Sequence, residues 1–304
     1  MRPFRRLSQG AAVAAVAVAL LATPAPSQAV LTPGVPGACA STARTAAGAE
    51  TAEDTRPMTL AEERQVERVL ADRGLPAGSA TADFSAVVPV HVHVVTDEQG
   101  TGAVSEQQVA DQITVLNETY GGTEHELAAR TGFTFVLRSV DTYADKSWFK
   151  GSGVSKMRSS TRVGGADALN IWTVGFDLLG VASFPWDYAK KPDQDGILVS
   201  YSTLPGGSET NYDQGKTATH EVGHWLGLYH TFSEGCAEPG DRVDDTPFQA
   251  AANVRCPEGA DTCVSPGLDP IHNYMNYTYD ACMDQFTPGQ SARMVDSWAA
   301  YRAG

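Results

Sequence analysis

The sequence predicts an α/β domain, in which strands alternate with helices that cover the sheet. Valine occurs at both odd and even positions of 87–95, which point to opposite faces of a strand. This is typical of a strand that is buried on both faces. A capping box at Ser105 then opens an amphipathic helix. Further strand-like segments follow at 133–140, 168–174 and 196–201. Strands that alternate with a backing helix indicate an α/β layer.

Composition bounds the class of protein and its partners. The chain has 304 residues, of which 42% are hydrophobic, and this is enough for a substantial core. Its formal net charge is −14. Such a surface repels nucleic acid phosphates and favours cations such as calcium, although most of the acids can simply keep the protein soluble. We therefore expect no nucleic acid partner.

The N-terminus has the order of a secretory signal peptide. Three arginines precede an apolar run at 11–22, and a small-residue cleavage site follows at 27–29. A membrane anchor is the alternative, but about a dozen residues at 1.5 Å each cannot cross a hydrocarbon layer of roughly 30 Å. We predict a signal peptide at 1–29, a secreted, extracellular protein, and no membrane contact after its removal.

Residues 30–83 are rich in Ala, Thr, Gly and Pro, which argues against a core of their own. One helix interrupts them: Thr59 and Glu62 form a possible capping box, and Gly74 ends the apolar stripe. We interpret 30–83 as a pro-segment. A plain flexible linker is the alternative.

The segment HEVGHWLGLYH at 220–230 has the spacing of a metal site. On a helix, His220 and His224 lie one turn apart, about 6 Å along the axis, so that both imidazoles can bind one zinc ion. Glu221 points about 100° away around the helix. It can reach a water beside the metal without acting as a ligand, and its predicted role is general base, then acid toward the leaving amine.

His230 is the third predicted zinc ligand. A continuous helix would carry it about 9 Å beyond His224, too far for Zn–N distances of about 2.0–2.1 Å. Gly227 solves this, because glycine adopts the left-handed conformation that ends a helix and turns the chain back. Three protein ligands leave a fourth position open, which is typical of a catalytic rather than a structural zinc site.

The chain resembles the pappalysin family of the metzincin clan, in particular its short secreted microbial members. The likeness rests on the motif at 220–230, on VDDTP at 243–247 and on NYMNY at 273–277, which resembles the metzincin Met-turn. It covers the chain from about residue 84 and is dense from 217 to 294. The resemblance implies a zinc endopeptidase that cleaves protein or peptide substrates, and we expect it to be a monomer.

The resemblance also implies an architecture. It predicts a metzincin-type catalytic domain at 84–304, with a twisted, mostly parallel sheet, a backing helix and the active-site helix in an upper subdomain at 84–230. An irregular, disulfide-linked lower subdomain at 231–304 ends in a C-terminal helix, which the sequence places at 288–301. We expect this lower part to depend on disulfides and bound metal more than on a large apolar core.

Further residue roles follow from the resemblance alone. Met275 would form a hydrophobic floor below the zinc ligands, and Tyr277 would stabilise the oxyanion of the tetrahedral intermediate. By spacing alone, four clustered cysteines permit three pairings; the family pairs would be Cys236–Cys263 and Cys256–Cys282. The family also binds Ca²⁺ in the segment that holds Asp241, Asp244, Asp245 and Thr246.

Cys39 lies apart from the other cysteines, in the predicted pro-segment. Pro-segments of this family resemble a cysteine switch, in which a thiolate takes the place of the water on zinc. We therefore expect a zymogen with Cys39 as its latency residue. The surrounding VPGACA at 35–40 departs from the Arg-x-Cys-Gly wording that such a switch would have.

Two other functions compete with the peptidase hypothesis. One is a non-catalytic binding module on a peptidase fold, and the other is a zinc hydrolase of non-peptide amides.

Elsewhere, His91 and His93 project from one strand face, where hydrogen-bonded strand histidines are a better interpretation than a second metal site. Asp280 and Asp284 are expected near the cleft, where they would favour basic substrate side chains.

Overall fold

A computed structural model describes residues 54–73 and 84–303. The predicted signal peptide, Cys39 and Gly74 lie outside these residues. The described chain has a five-stranded sheet in the order β2-β1-β3-β5-β4. Its strands are β1 (Ala86–Thr96), β2 (Phe133–Ala144), β3 (Leu169–Val174), β4 (Gly180–Ala182) and β5 (Ile197–Ser200). The α/β class and the mostly parallel sheet predicted from the sequence are confirmed.

Strand β1 lies between β2 and β3 and pairs in parallel with both. Its valines at 88, 90, 92 and 94 are at most 3% exposed and line one covered face. On the other face Val95 is buried but Val87 is 55% exposed, so that face is covered only toward the end of the strand. Strand β4 is antiparallel to β5 and forms one edge of the sheet. Strand β4 was not predicted, because its three residues carry too little periodicity to indicate a strand.

The helices follow the capping signals closely. Before the sheet comes α1 (Leu60–Arg73), where the side chains of Thr59 and Glu62 form the predicted hydrogen bonds. Helix α2 (Glu106–Tyr120) covers the sheet and begins with the capping box of Ser105. The remaining helices are α3 (Lys146–Phe149), α4 (Val154–Thr161), α5 (Lys216–Trp225) and α6 (Pro288–Tyr301).

The chain after His230 is irregular, as predicted, but it shares the main core. Between 231 and 287 its only described strands are the short β6 (Val254–Arg255) and β7 (Tyr277–Thr278). Tyr274, Met275 and Phe286 are fully buried and pack in one cluster with residues of the sheet and α5. This part therefore depends on apolar burial as well as on cross-links, contrary to the expectation of a weak core.

Two disulfides join the irregular segment, Cys236–Cys263 and Cys256–Cys282. These are the pairs that the family resemblance implied. No helix within 54–73 or 84–303 is long and apolar enough to cross a membrane.

Candidate metal centre

Helix α5 carries the first half of the predicted site and ends where the motif requires. Its last residue is Trp225, and Leu226 caps it. Gly227 follows with φ of +97°, in the left-handed region. A side chain at 227 would also collide with Ser297 of α6. The conformation predicted for Gly227 is thus present, and the chain turns back from the helix at this residue.

Three imidazoles converge as a result of this turn. The Nε2 atoms of His220, His224 and His230 lie 3.0–3.2 Å from one another, and all three side chains are buried. Two Nδ1 atoms are occupied elsewhere: His220 donates to the carbonyl of Tyr274 at 2.6 Å, and His224 donates to that of Leu228 at 2.8 Å. Their Nε2 atoms therefore present lone pairs to the common centre.

The arrangement fits a zinc ion. Lone pairs cannot hydrogen-bond to one another, so nitrogens that face each other at this spacing need a cation between them. A tetrahedral ion with Zn–N distances of about 2.0–2.1 Å places its nitrogens about 3.3 Å apart, close to the spacing observed. The Nδ1–H bonds to backbone carbonyls also have the form that orients histidine ligands of metals.

Glu221 directly follows the ligand candidate His220 on α5. Its side chain is buried between α5 and the edge strand β4. Gly180 of β4 packs directly against the Glu221 carboxylate, and any side chain at 180 would overlap it. The missing Cβ at this position therefore makes room for the predicted general base.

Met275 and Tyr277 both pack close to the motif of α5. Met275 is fully buried, and its sulfur lies where a side chain on Gly223 of α5 would be. The Tyr277 ring packs against the rings of His220 and His230 at centroid distances of 5.7 and 5.0 Å. The structure thus brings Met275 against α5 and Tyr277 against two of the three histidines.

Asp54, which the sequence analysis did not single out, also reaches the centre. Its Oδ2 lies 2.9 Å from Nε2 of His230 and accepts a hydrogen bond of 2.9 Å from the Tyr277 hydroxyl. Burial alone would raise the pKa of this carboxyl, but the neighbouring imidazoles hold the pKa well below its usual range. Asp54 comes before α1 in a segment without periodicity, so that no sequence pattern indicated it.

Buried carboxylates fix both ends of α5. At its start, Asp280 accepts hydrogen bonds from the backbone nitrogens of Gln214 and Lys216 at 2.9 and 3.4 Å. At its end, Asp195 accepts from the Trp225 indole at 3.1 Å and pairs with the buried Arg302. Asp280 therefore positions the active-site helix. From the sequence it was expected only to contact the substrate.

The residues expected to bind calcium are only partly brought together. Asp241 is buried, and burial raises its pKa to about 7; its Oδ1 accepts a hydrogen bond from Thr246. Asp245 instead binds the start of α6, where Thr287 Oγ1 and the nitrogen of Gly289 donate to it. Asp244 is exposed. Within the described residues, these three aspartates do not form a compact metal-binding group.

The strand histidines have ordinary structural partners, as the sequence analysis expected. His93 is buried, lies 2.9 Å from Asn170 Oδ1 and stacks on Trp172. His91 lies 2.9 Å from Ser139 Oγ. Neither belongs to a metal-binding group in the described part of the chain.

Comparison with known proteins identifies the family. A family model described as pregnancy-associated plasma protein-A, Peptidase_M43, matches residues 178–299. An extracellular metalloprotease of Arthroderma benhamiae is 41% identical over 237 residues, which cover 74% of this chain and 76% of that protein. Extracellular metalloprotease 1 of Coccidioides posadasii is 43% identical, with coverage of 76% and 84%. The chain belongs to the pappalysin family.

Solved structures agree with this assignment. Mature mirolysin of Tannerella forsythia, in complex with a cleaved peptide, is 34% identical with a TM-score of 0.62, and the match covers 70% of this chain and 91% of that one. A promirolysin mutant from the same organism is 30% identical with a TM-score of 0.67, with coverage of 80% and 88%. This pappalysin has the metzincin fold and is a zinc metallopeptidase.

Proposed function

We propose that this chain is a secreted endopeptidase, made as a zymogen, that hydrolyses internal peptide bonds of extracellular proteins. The observation that carries the proposal is the convergence of three buried histidine nitrogens beside the buried Glu221. The relatives' names support an extracellular location, and the peptide in mirolysin supports a peptide substrate.

His220, His224 and His230 would hold a zinc ion, which would supply Lewis-acid chemistry for water and for the scissile carbonyl. Glu221 takes a proton from the attacking water and returns it to the leaving amine. The position of Gly180 supports this role, because the absence of a side chain there leaves room for the Glu221 carboxylate at the edge of the sheet. Tyr277, whose hydroxyl faces the centre, donates a hydrogen bond to the oxyanion.

Glu221→Gln tests the catalytic assignment. In the processed chain, we expect zinc content to stay unchanged while cleavage of denatured protein falls by at least about 10²–10⁴-fold, because the general base is lost. Glu126→Gln, at an exposed glutamate, is the matched control. Mass spectrometry of products from a proteome-derived peptide library should show internal cuts. Substantial turnover by Glu221→Gln would remove the proposed base, and release of terminal residues alone would exclude an endopeptidase.

We also propose a structural calcium ion at Asp241. Its Oδ2 is buried and has no hydrogen-bond partner among the described residues. A buried carboxylate oxygen of this kind is costly unless a cation lies next to it, and calcium prefers oxygen ligands from carboxylates and backbone carbonyls. Asp244, Asp245 and Thr246 would contribute through backbone or rearranged side-chain oxygens.

A further inference from the structure

The start of the segment 54–73 lies over the metal centre, and the side chain of Asp54 occupies its open side. Asp54 is completely buried. Its Oδ2 lies 2.9, 3.3 and 3.7 Å from the Nε2 atoms of His230, His220 and His224. The three nitrogens and this oxygen form one compact group of possible metal ligands.

The spacing of the four atoms fits one tetrahedral ion. Distances of about 3.3 Å between ligand atoms are expected around zinc, and the three oxygen-to-nitrogen distances lie around this value. Carboxylate oxygen is an accepted zinc ligand, with Zn–O distances of about 2.0–2.2 Å. Asp54 therefore stands at the position that a catalytic site leaves for water.

Hydrogen bonds on both sides hold Asp54 in place. Its carbonyl accepts from the backbone nitrogen of Ala182 at 2.8 Å, so that the segment uses a donor of the edge strand β4. Two residues later, Arg56 forms a bidentate pair with Asp187, at 2.8 and 2.7 Å. A peptide substrate that needs the same edge of the sheet would have to displace this segment.

Helix α1 anchors the segment to the rest of the protein. Met58, Val66 and Leu70 are buried in a cluster with Phe184 and Trp186. This apolar contact fixes the helix close to the metal centre, since the rings of Phe184 and His224 form a T-shaped pair with centroids 5.7 Å apart.

Ion pairs on the other flank of α1 reinforce the contact. Glu63 bonds Arg242 at 2.7 Å, and its side chain is only 3% exposed. Glu67 forms two hydrogen bonds to the buried Arg293, at 2.8 and 3.2 Å. Each pair has one deeply buried partner, Glu63 or Arg293, whose charge would be left uncompensated if α1 moved away.

We propose that Asp54 is the fourth zinc ligand of the uncleaved chain and that residues 54–73 keep the peptidase latent. The inference rests on the proposed function, since it requires zinc at the three histidines. Cleavage after α1 would break the covalent link between the segment and the catalytic domain. Only non-covalent contacts would then hold the segment in place. Water could then take the place of the carboxylate.

Asp54 takes the role that the sequence analysis assigned to Cys39. The two proposals differ in the element that binds the metal, oxygen or sulfur. Cobalt(II) distinguishes them in the full chain, because a thiolate ligand gives an intense sulfur-to-cobalt charge-transfer band in the near ultraviolet and a carboxylate does not. The experiment uses the Glu221→Gln chain to prevent self-cleavage, loaded with cobalt or zinc.

Four chains are compared: the Glu221→Gln parent, and the same chain with Asp54→Asn, with Cys39→Ser or with Asp72→Asn. Asp72 is an exposed aspartate of α1 and controls for the substitution. We expect no sulfur band in the parent, and an altered visible cobalt spectrum in Asp54→Asn alone. Zinc release to a chelator should become at least about ten-fold faster in Asp54→Asn and stay unchanged in the other two.

Two results would overturn the inference. A sulfur band in the parent that disappears in Cys39→Ser would make Cys39 the ligand, and a parent-like spectrum and zinc release rate in Asp54→Asn would exclude Asp54. Failure of the proposed function looks different: the parent would then bind neither cobalt nor zinc stoichiometrically. A circular dichroism spectrum checks that each variant is folded.

Discussion

The metal centre joins two regions that are built in different ways. Residues 84–230 supply His220, His224 and Glu221 from a regular helix that packs on a sheet with a valine-rich centre. The region after His230 supplies Met275 from a loop and Tyr277 from the two-residue strand β7. The first region is ordered by periodic apolar burial, and the second is ordered by specific polar contacts; the site needs both.

Buried amides are the contacts that order the second region. Asn276 donates to Gln249 Oε1 and Asn253 Oδ1, at 3.0 Å each. Asn273 and Gln290 form a mutual pair of amide hydrogen bonds, at 2.8 and 3.0 Å. These bonds hold the turn that carries Met275 and Tyr277, and they connect it to the start of α6.

Calcium removal should give the largest difference in stability between the two regions. If an ion binds at Asp241, then a calcium concentration 100-fold above Kd stabilises the fold by about 2.7 kcal/mol. We expect a calcium chelator that leaves zinc bound to lower Tm and to speed hydrogen exchange in 231–287, while the amides of β1 and β3 stay protected.

Asp241→Asn is the test of this location. It removes a buried charge, so we expect the variant to lose the calcium response without becoming less stable than the calcium-free parent. Asp261→Asn, at an exposed aspartate of the same region, should keep the full response. An identical calcium response in Asp241→Asn would place the ion elsewhere, and unchanged melting of the parent on depletion would count against any structural calcium.

Asn276→Ala should have a smaller effect on stability. The change leaves the acceptors on Gln249 and Asn253 with fewer donors in a buried site, at a cost of about 1–3 kcal/mol. Urea unfolding measures the loss, and Asp261→Ala serves as the surface control. A stability within about 0.5 kcal/mol of the parent would mean that the amide network does not hold this region together.

The same contrast explains what could be predicted from the sequence. The strands at 87–95 and 168–174, the caps at Thr59 and Ser105, and the helix at 288–301 were predicted because each depends on a local pattern. The strand predicted at 133–140 extends to Ala144, where exposed residues carry no apolar signal.

Other features depend on contacts between distant parts of the chain. Gly180 was not singled out, because the need for its missing side chain arises only when Glu221 packs against β4. Asp195 and Asp280 hold the ends of α5 from loops far away in sequence. Asp54 reaches the histidines across more than 160 residues. No period or motif in a single sequence encodes such pairs.

The most direct test of the account is the zinc content of His230→Ala, since His230 is the ligand that the turn at Gly227 brings back to α5. Metal analysis of the dialysed processed chain should find about one zinc in the parent and in His125→Ala, which changes an exposed histidine. We expect His230→Ala to lose most of its zinc and its peptidase activity while the sheet stays folded. Retention of a full equivalent of zinc by His230→Ala would contradict the three-histidine centre.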